Sequence, residues 1–308
     1  MSWDRVERLL GKDNLAHLAA KRVGVIGLGS GGGFVALSLA MSGVGHFTLI
    51  DDDVLEATNV VRHVADSALI GRPKAEAVAE LIGRRNPQAQ ITTRVGRLED
   101  HLDLLDDLDL VISGVDGEGP KYVLNQACLD RRLTAVYAGV YERGEGGDVV
   151  IIQPHDGPCY ACWAAELREG LALTDQGANA ELDYGMIGAD GTLEAEPGLW
   201  LHVVRVASAQ ADIALNALLR GTDAQQPLPA NTVILANRAI EIVAGEVTPP
   251  FGAVWVNIAR DPHCLVCGDA VRQRIALGDA QDASSAVSLD DLMAETGIVS
   301  EEREEDEL

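Results

Sequence analysis

Three glycines with the spacing G-x-G-x-x-G follow the first apolar run of the sequence. They are Gly27, Gly29 and Gly32, in the segment RVGVIGLGSGGGFVALSLAMSG. Glycines at this spacing between a strand and a helix let main-chain N–H groups and the helix dipole face a phosphate. Asp51 ends the next apolar run, about 20 residues further on, where an acid can accept hydrogen bonds from ribose hydroxyls. The pattern predicts a nucleotide site, and NAD is one candidate for it.

The polar residues after this acid favour ATP over a dinucleotide. The stretch DDDVLEATNVVRH places Asp53, Asn59 and Arg62 in one loop, and Lys74 starts a predicted helix. A cation opposes the dipole at the start of a helix, so we expect an anion beside it. Arg62 and Lys74 suit a triphosphate better than a pyrophosphate that the glycine loop already holds. Asp116 follows the strand DLVISG, and a carboxylate beside phosphates is a natural ligand for Mg²⁺.

Four of the five cysteines form two C-x-x-C pairs, Cys159 with Cys162 and Cys264 with Cys267. In a reducing compartment this spacing favours metal binding over a disulfide. Four thiolates complete a tetrahedral Zn²⁺ site with no open position, so the predicted site is structural and would pin the C-terminal segment. The alternative is two pairs of buried or redox-active thiols. The fifth cysteine, Cys128, lies in a predicted helix, where we expect it to be buried by packing.

The elements that must position these residues alternate along the first half of the chain. The apolar runs RVGVIG, FTLID, QITTRV, DLVISG and TAVYAGV predict strands, and helical stretches such as RPKAEAVAELIGRRN separate them. This alternation predicts an α/β fold with a doubly wound, mainly parallel Rossmann-like sheet. It breaks after DVVIIQP, and the segment Gly170 to Pro197 is predicted to be a long loop. A helix in LWLHVVRVASAQADIALNALLRG and the strands TVILA and AVWVNIA are predicted after it.

Composition and charge limit the possible partners. The 308 residues are 47% hydrophobic, enough for a sizeable core, and the formal net charge of -24 argues against nucleic acid or an anionic membrane as partner. The sequence shows neither a membrane-spanning run nor a signal-peptide pattern, so we expect a cytoplasmic protein. Residues 1–276 are predicted to form one domain, with N-terminal helices in 1–20 and the long loop at about 170–197. The acidic residues 277–308 are expected to be a disordered tail.

Together these motifs resemble those of the ThiF/MoeB/HesA adenylating enzymes, relatives of ubiquitin-activating enzymes. The resemblance runs from about Arg5 to Cys267. It rests on the glycine loop, on D-x-D-x-x-x-x-x-N-x-x-R from Asp51 to Arg62, on G-x-P-K ending at Lys74, on Asp116 and on the paired C-x-x-C sites. It implies that ATP binds in the nucleotide fold and that the C-terminal carboxylate of a protein attacks the α-phosphate, giving an acyl adenylate and pyrophosphate.

The resemblance also implies residue roles. Arg62, Lys74 and Asp116 would be catalytic, since charges aimed at the departing pyrophosphate stabilise the transition state. RVERL is similar to the family's R-x-x-R, whose second arginine, here Arg8, would reach the partner subunit's site in a homodimer. The residues implied to bind ATP and Mg²⁺ are Gly27, Gly29, Gly32, Asp51, Asp53, Asn59, Arg62, Lys74 and Asp116.

Two positions depart from the family pattern. Ubiquitin-activating relatives carry a nucleophilic cysteine after the first zinc pair, but the sequence has none between Cys162 and Cys264, and Asp175 stands near that place. Lys121 occupies a position where relatives often have arginine. We therefore expect adenylation of a ubiquitin-like or sulfur-carrier protein ending in Gly-Gly, with no internal thioester, and transfer to a thiol on a separate protein. The alternatives are adenylation of a peptide or small molecule, and a nucleotide-binding scaffold without turnover. NAD chemistry is disfavoured because no motif suggests a hydride-site histidine.

Overall fold

The strands lie where the apolar runs predict them. The computed structural model describes residues 2–174, 198–243 and 245–276. Its strands are β1 (Arg22–Ile26), β2 (His46–Asp51), β3 (Gln90–Val95), β4 (Leu110–Ser113), β5 (Ala135–Val140), β6 (Gly146–Ile152), β7 (Thr232–Ala236), β8 (Ile240–Val243), β9 (Glu246–Thr248) and β10 (Ala253–Val256). The hairpin of β8 and β9 was not predicted, and β6 lies in the segment that ends with DVVIIQP, which the sequence analysis did not name as a strand.

Eight α-helices are described. They are α1 (Asp4–Leu10), α2 (Lys12–Ala19), α3 (Ser30–Met41), α4 (Lys74–Arg85), α5 (Glu118–Arg131), α6 (Tyr160–Thr174), α7 (Trp200–Leu218) and α8 (Asp269–Ala276). The chain divides into two units, residues 1–261 and 262–308. Of the eight described helices, only α8 belongs to the second unit.

The predicted loop beginning at Gly170 is wrong at its start, because α6 continues to Thr174. Alanine, leucine and glutamate in AAELREGLALT favour a helix, and the single glycine does not interrupt it. The rest of that loop, including Asp175, lies outside the described residues, as does the predicted tail at 277–308.

The main sheet has eight strands in the order β10-β7-β6-β5-β4-β1-β2-β3. The first five strands of the chain, β1 to β5, are mutually parallel. In contrast, β6, β7 and β10 are antiparallel to their neighbours. This confirms the predicted mainly parallel, doubly wound sheet. The chain moves outward from β1 to β3 and then returns to the other side of β1 as β4. The gap between β1 and β4 is therefore the switch point, where ligands bind in open α/β sheets.

Two apolar layers cover the faces of this sheet. Residues of α3, α4 and α7 pack on one face, and residues of α5 and α6 pack on the other. Gln210 of α7 is buried, and its Nε2 donates to the carbonyl oxygens of Ser113 and Val136, both at 2.9 Å. These contacts fix α7 to the last residue of β4 and to the second residue of β5. None of the described helices is long and apolar enough to cross a membrane.

Candidate functional site

The glycine loop lies at the switch point because its glycines permit very close backbone contacts. Gly27 has a φ of 84°, and a Cβ there would lie 2.6 Å from the carbonyl carbon of Gly114, just after β4. A Cβ on Gly32 would lie 1.9 Å from the Gly27 carbonyl oxygen. Gly29 differs, because no atom of the described residues, apart from its chain neighbours and its own helix, lies within 4 Å of its Cβ position. Two of the predicted glycines thus serve packing, and the third borders open space at the start of α3.

Asp51 ends β2 and holds the glycine loop. It is 8% exposed. Its Oδ2 accepts the N–H of Leu28 at 2.5 Å and its Oδ1 accepts the N–H of Asp53 at 2.9 Å. Burial raises the pKa of Asp51, and these two hydrogen bonds and nearby Lys74 counteract that rise. The predicted contact with a ribose stays a prediction, for which each carboxylate oxygen keeps acceptor capacity.

His63 is a site residue that the sequence analysis missed. Its Nε2 lies 2.7 Å from the carbonyl oxygen of Leu28, and its Nδ1 lies 3.0 Å from the main-chain nitrogen of Ala65. A carbonyl oxygen only accepts and an N–H only donates, so this pairing requires the neutral ring with its proton on Nε2. Burial lowers the pKa of His63, which favours the same neutral form. Its place directly after Arg62 in the motif is the one signal that could have identified it.

Lys74 begins α4 and forms an ion pair with Asp53. Its Nζ lies 2.5 Å from Asp53 Oδ2, and the Lys74 side chain is 12% exposed whereas that of Asp53 is 65% exposed. The main-chain N–H of Lys74 also donates to the Asp53 carbonyl at 2.9 Å. The anion expected beside this cation is therefore a carboxylate of the protein itself. Asp53 keeps the ammonium group next to the start of the helix.

Asn59 and Arg62 lie in the loop between β2 and α4. The Asn59 Oδ1 accepts the N–H of Glu56 at 3.0 Å, which stabilises a turn just before the short 3-10 helix Val60–Arg62. Arg62 is half-buried. Among the residues that the structure describes, it forms no ion pair, so its guanidinium can receive an anionic ligand.

Asp116 and Lys121 flank the start of α5. Asp116 is exposed and follows Gly114, on the same edge of the sheet as the glycine loop. Lys121 is buried, and its Nζ lies 3.0 Å from Glu118 Oε1. The hydroxyl of Tyr160 donates to the other carboxylate oxygen of Glu118 at 2.9 Å. These contacts tie Lys121 to the first turn of α5 and tie that turn to α6.

Local contacts are described for both cysteine pairs. The Sγ atoms of Cys159 and Cys162 are 3.8 Å apart, at the start of α6. In the second unit, the N–H of Gly268 donates to the carbonyl of Cys264 at 2.8 Å. Four thiolates are a typical Zn²⁺ ligand set, and a Zn²⁺ site made by both pairs stays a prediction. Cys128 is 1% exposed and burial raises its pKa to about 12, which confirms the predicted packing role.

Arg8 lies on α1, in the N-terminal part of the chain. Its side chain is 71% exposed and forms an ion pair with Asp4, one turn earlier on the same helix. No residue of α1 is buried. The predicted contact of Arg8 with a partner subunit stays a prediction.

Comparison with known proteins gives both sequence relatives and a structural relative. The sequence matches the ThiF family over residues 4–246. The SAMP-activating enzyme E1 of Haloferax volcanii is 30% identical over 285 residues, which are 91% of this chain and 92% of that protein. The adenylyltransferase and sulfurtransferase UBA4 of Yarrowia lipolytica is 33% identical over 147 residues, which are 47% of this chain and only 37% of that protein.

The solved structure of Escherichia coli MccB with ATP has a similar fold. Its TM-score is 0.60 at 20% identity, over 83% of this chain and 69% of that one. At this level of identity the likeness concerns the fold, and it agrees with the doubly wound sheet described above.

Proposed function

We propose that this chain uses ATP to adenylate the C-terminal carboxylate of a ubiquitin-like or sulfur-carrier protein. The chain belongs to the ThiF family, because the family model matches residues 4–246. The observation that carries this proposal is the glycine loop at the switch point. Its Leu28 N–H and carbonyl are held by the buried side chains of Asp51 and His63, and Gly29 borders open space among the described residues. Cationic side chains follow in the adjoining loop and helix. This arrangement suits a bound polyphosphate.

The residues present fit ATP and Mg²⁺. A phosphate can approach the main chain at Gly29, because that position has no side chain and, among the described residues, no atom beyond its chain neighbours and its own helix lies within 4 Å of where a Cβ would be. Arg62 and Lys74 supply positive charge, and Asn59 supplies an amide in the same loop. Asp116 offers an exposed carboxylate at the same sheet edge, which is a suitable Mg²⁺ ligand. Bound Mg²⁺ would neutralise part of the charge on the phosphates.

The reaction follows from these roles. An oxygen of the carrier carboxylate attacks the α-phosphorus of ATP, and the bond from that phosphorus to the bridging oxygen of the β-phosphate breaks. Pyrophosphate leaves with the bonding electrons, and the carrier keeps the AMP group as an acyl adenylate. Lys74, oriented by Asp53, and Arg62 stabilise the negative charge that develops on the departing pyrophosphate.

The choice of a carrier protein as substrate is supported by the relatives. One of them is named a SAMP-activating enzyme and this chain spans 92% of it, and another is named an adenylyltransferase and sulfurtransferase. We propose that the carrier ends in Gly-Gly and that the activated carboxyl passes to a thiol on a separate protein. The absence of an internal thioester is supported by Cys128, which is the one described cysteine outside the C-x-x-C pairs and is buried. A structural Zn²⁺ and a homodimer complete the proposal.

Pyrophosphate exchange into ATP tests this function. Asp116→Ala should lower the rate of Mg²⁺-dependent pyrophosphate exchange with the carrier by at least about 100-fold. The variant lacks a Mg²⁺ ligand that stabilises the charge developing in the transition state. The fold should persist, since Asp116 is exposed. Asp52→Ala is the matched control, because Asp52 is an exposed carboxylate that faces Arg97 at 3.5 Å and should keep the wild-type rate.

Other outcomes separate the alternatives. Exchange by Asp116→Ala at the wild-type rate would contradict the role of Asp116 in Mg²⁺ binding. Exchange with a short peptide or a small carboxylic acid, but not with a Gly-Gly carrier, would make those compounds the substrates. ATP binding without any exchange would indicate a scaffold rather than an enzyme.

A further inference from the structure

Leu28, in the middle of the glycine loop, has both of its main-chain polar groups held by buried side chains. Its N–H donates to Asp51 Oδ2 at 2.5 Å, and its carbonyl oxygen lies 2.7 Å from His63 Nε2. Asp51 and His63 are each 8% exposed, so water competes little for either contact. Two consecutive peptide groups, Gly27–Leu28 and Leu28–Gly29, are therefore fixed in orientation.

The second of these peptide groups determines where the N–H of Gly29 points. The described chain has no cis peptide bonds, and a trans peptide directs its C=O and its N–H to opposite sides. When His63 holds the Leu28 carbonyl, the Gly29 N–H must point away from His63. Gly29 is the N-cap of α3 and borders open space. The N–H lies at the positive end of the helix dipole.

The position of Gly33 makes this contact possible. Gly33 lies outside the G-x-G-x-x-G pattern, yet a Cβ there would lie 3.3 Å from the Leu28 carbonyl oxygen and 3.5 Å from His63 Nε2. It would also lie 3.1 Å from Val64 Cγ2, so the segment that carries His63 would have to shift. The glycine thus leaves room for the imidazole to reach the loop.

We propose that His63 is a positioning residue for adenylation, which holds the Leu28 carbonyl and so directs the Gly29 N–H toward a phosphate of the nucleotide. The inference rests on the proposed function, since that function supplies the phosphate. His63 does not touch the substrate and acts through the main chain of the loop. Its effect should therefore be on ATP affinity, and it should spare the affinity for adenosine, which has no phosphate.

Two substitutions of His63 separate its two hydrogen bonds. In His63→Gln the amide N–H can replace the Nε2–H donor, whereas in His63→Asn the shorter side chain can replace only the Nδ1 acceptor that faces Ala65. A purely structural role predicts similar losses in both variants. We expect His63→Gln to bind Mg²⁺-ATP within about threefold of wild type and His63→Asn to bind about tenfold more weakly or worse. Isothermal titration measures the ATP affinity, with adenosine as the phosphate-free comparison.

A variant that leaves His63 in place gives an independent test. Gly33→Ala should crowd the contact and weaken ATP binding several-fold. Its control is Gly83→Ala, the same change in α4, where no atom lies within 4 Å of the added carbon. The inference is overturned if His63→Asn and Gly33→Ala both bind ATP like wild type, or if His63→Gln loses as much affinity as His63→Asn. A wild-type protein that binds neither ATP nor its analogues overturns the proposed function together with this inference.

Discussion

At the scale of single residues, the site depends on charges that the protein partly neutralises itself. Lys74 stands at the first position of α4, where its charge opposes the helix dipole. The carboxylate of Asp53, 2.5 Å from its Nζ, offsets this and holds the side chain in one place. Asp53 is far more exposed than Lys74. Water can therefore solvate its carboxylate when a phosphate also pairs with the Lys74 ammonium group. The pair therefore holds the Lys74 side chain in place before the nucleotide binds.

Cys128 should be unreactive over the working pH range. The residue is 1% exposed, and burial raises the pKa of its thiol to about 12, so the nucleophilic thiolate is scarce near neutral pH. We expect iodoacetamide not to alkylate Cys128 in the folded protein at about pH 7. Raising the pH to about 10 should not start this alkylation. Mass spectrometry of the digested protein measures the alkylation at this position.

The same burial predicts that the enzyme stops at the acyl adenylate. Incubation with ATP, Mg²⁺ and the carrier should give the adenylated carrier and pyrophosphate, with no reducible enzyme–carrier adduct on a non-reducing gel. A thiol-sensitive adduct that disappears in Cys128→Ala would show instead that this cysteine forms a thioester.

The residue types of the site could be predicted from the sequence, but their partners could not. Glycines, acids and cations recur at spacings that a phosphate site requires, which identified Gly29, Asp51 and Lys74. The contacts from Asp51 and from His63 to Leu28 join positions 23 and 35 residues apart. Such pairings depend on how β2 and the following loop pack beside β1, and no local pattern encodes them.

At the scale of elements, the predicted strands include the buried centre of the sheet and the more exposed strands β3 and β10 at its two edges. Parallel strands that are covered on both faces appear as continuous apolar runs, as in β1 and β4. The hairpin of β8 and β9 was missed because its strands are short, carry glutamates and show a register shift. The helix α6 was missed because it begins inside the first C-x-x-C pair, where the cysteines were interpreted as metal ligands.

The cysteine pairs should bind one Zn²⁺ per chain. Zinc binding to such sites contributes about 10 to 16 kcal/mol in small model domains, so metal loss should loosen the residues around both pairs. Metal analysis of the purified protein should find about one Zn²⁺ per chain, and a strong chelator should increase proteolysis near Cys159 and Cys264. Cys162→Ser should lower the zinc content, whereas Cys128→Ala should not.

A specific result would reject the zinc prediction. If the metal-free protein had the same thermal stability and the same proteolytic pattern as the untreated protein, the cysteines would not form a structural metal site. The alternative of redox-active thiols would then be tested by titration of the free thiols under reducing and oxidising conditions.

At the scale of the whole molecule, the surface of a single chain favours self-association. No residue of α1 is buried, and Leu9 on this helix is 83% exposed. Val61, next to the predicted phosphate-binding Arg62, is 82% exposed. Leu10 of α1 packs against the core, but Leu9 and Val61 stay exposed, and exposed apolar side chains of this size favour a partner surface. A homodimer in which α1 meets the site of the partner subunit would cover both residues.

Complementation between two inactive variants tests whether Arg8 acts across such a dimer. Arg8→Ala and Lys74→Ala homodimers should each lose pyrophosphate exchange, because each lacks one cation in both sites. In a heterodimer of the two, an arginine that acts in trans would leave one site complete and the other without both cations, so we expect about half of the wild-type activity. An arginine that acts within its own chain would leave both sites defective. Heterodimers purified through two different affinity tags, with tagged wild-type dimers as the reference, therefore distinguish the two arrangements. Activity no higher than that of the two parent homodimers would exclude Arg8 from the partner subunit's site.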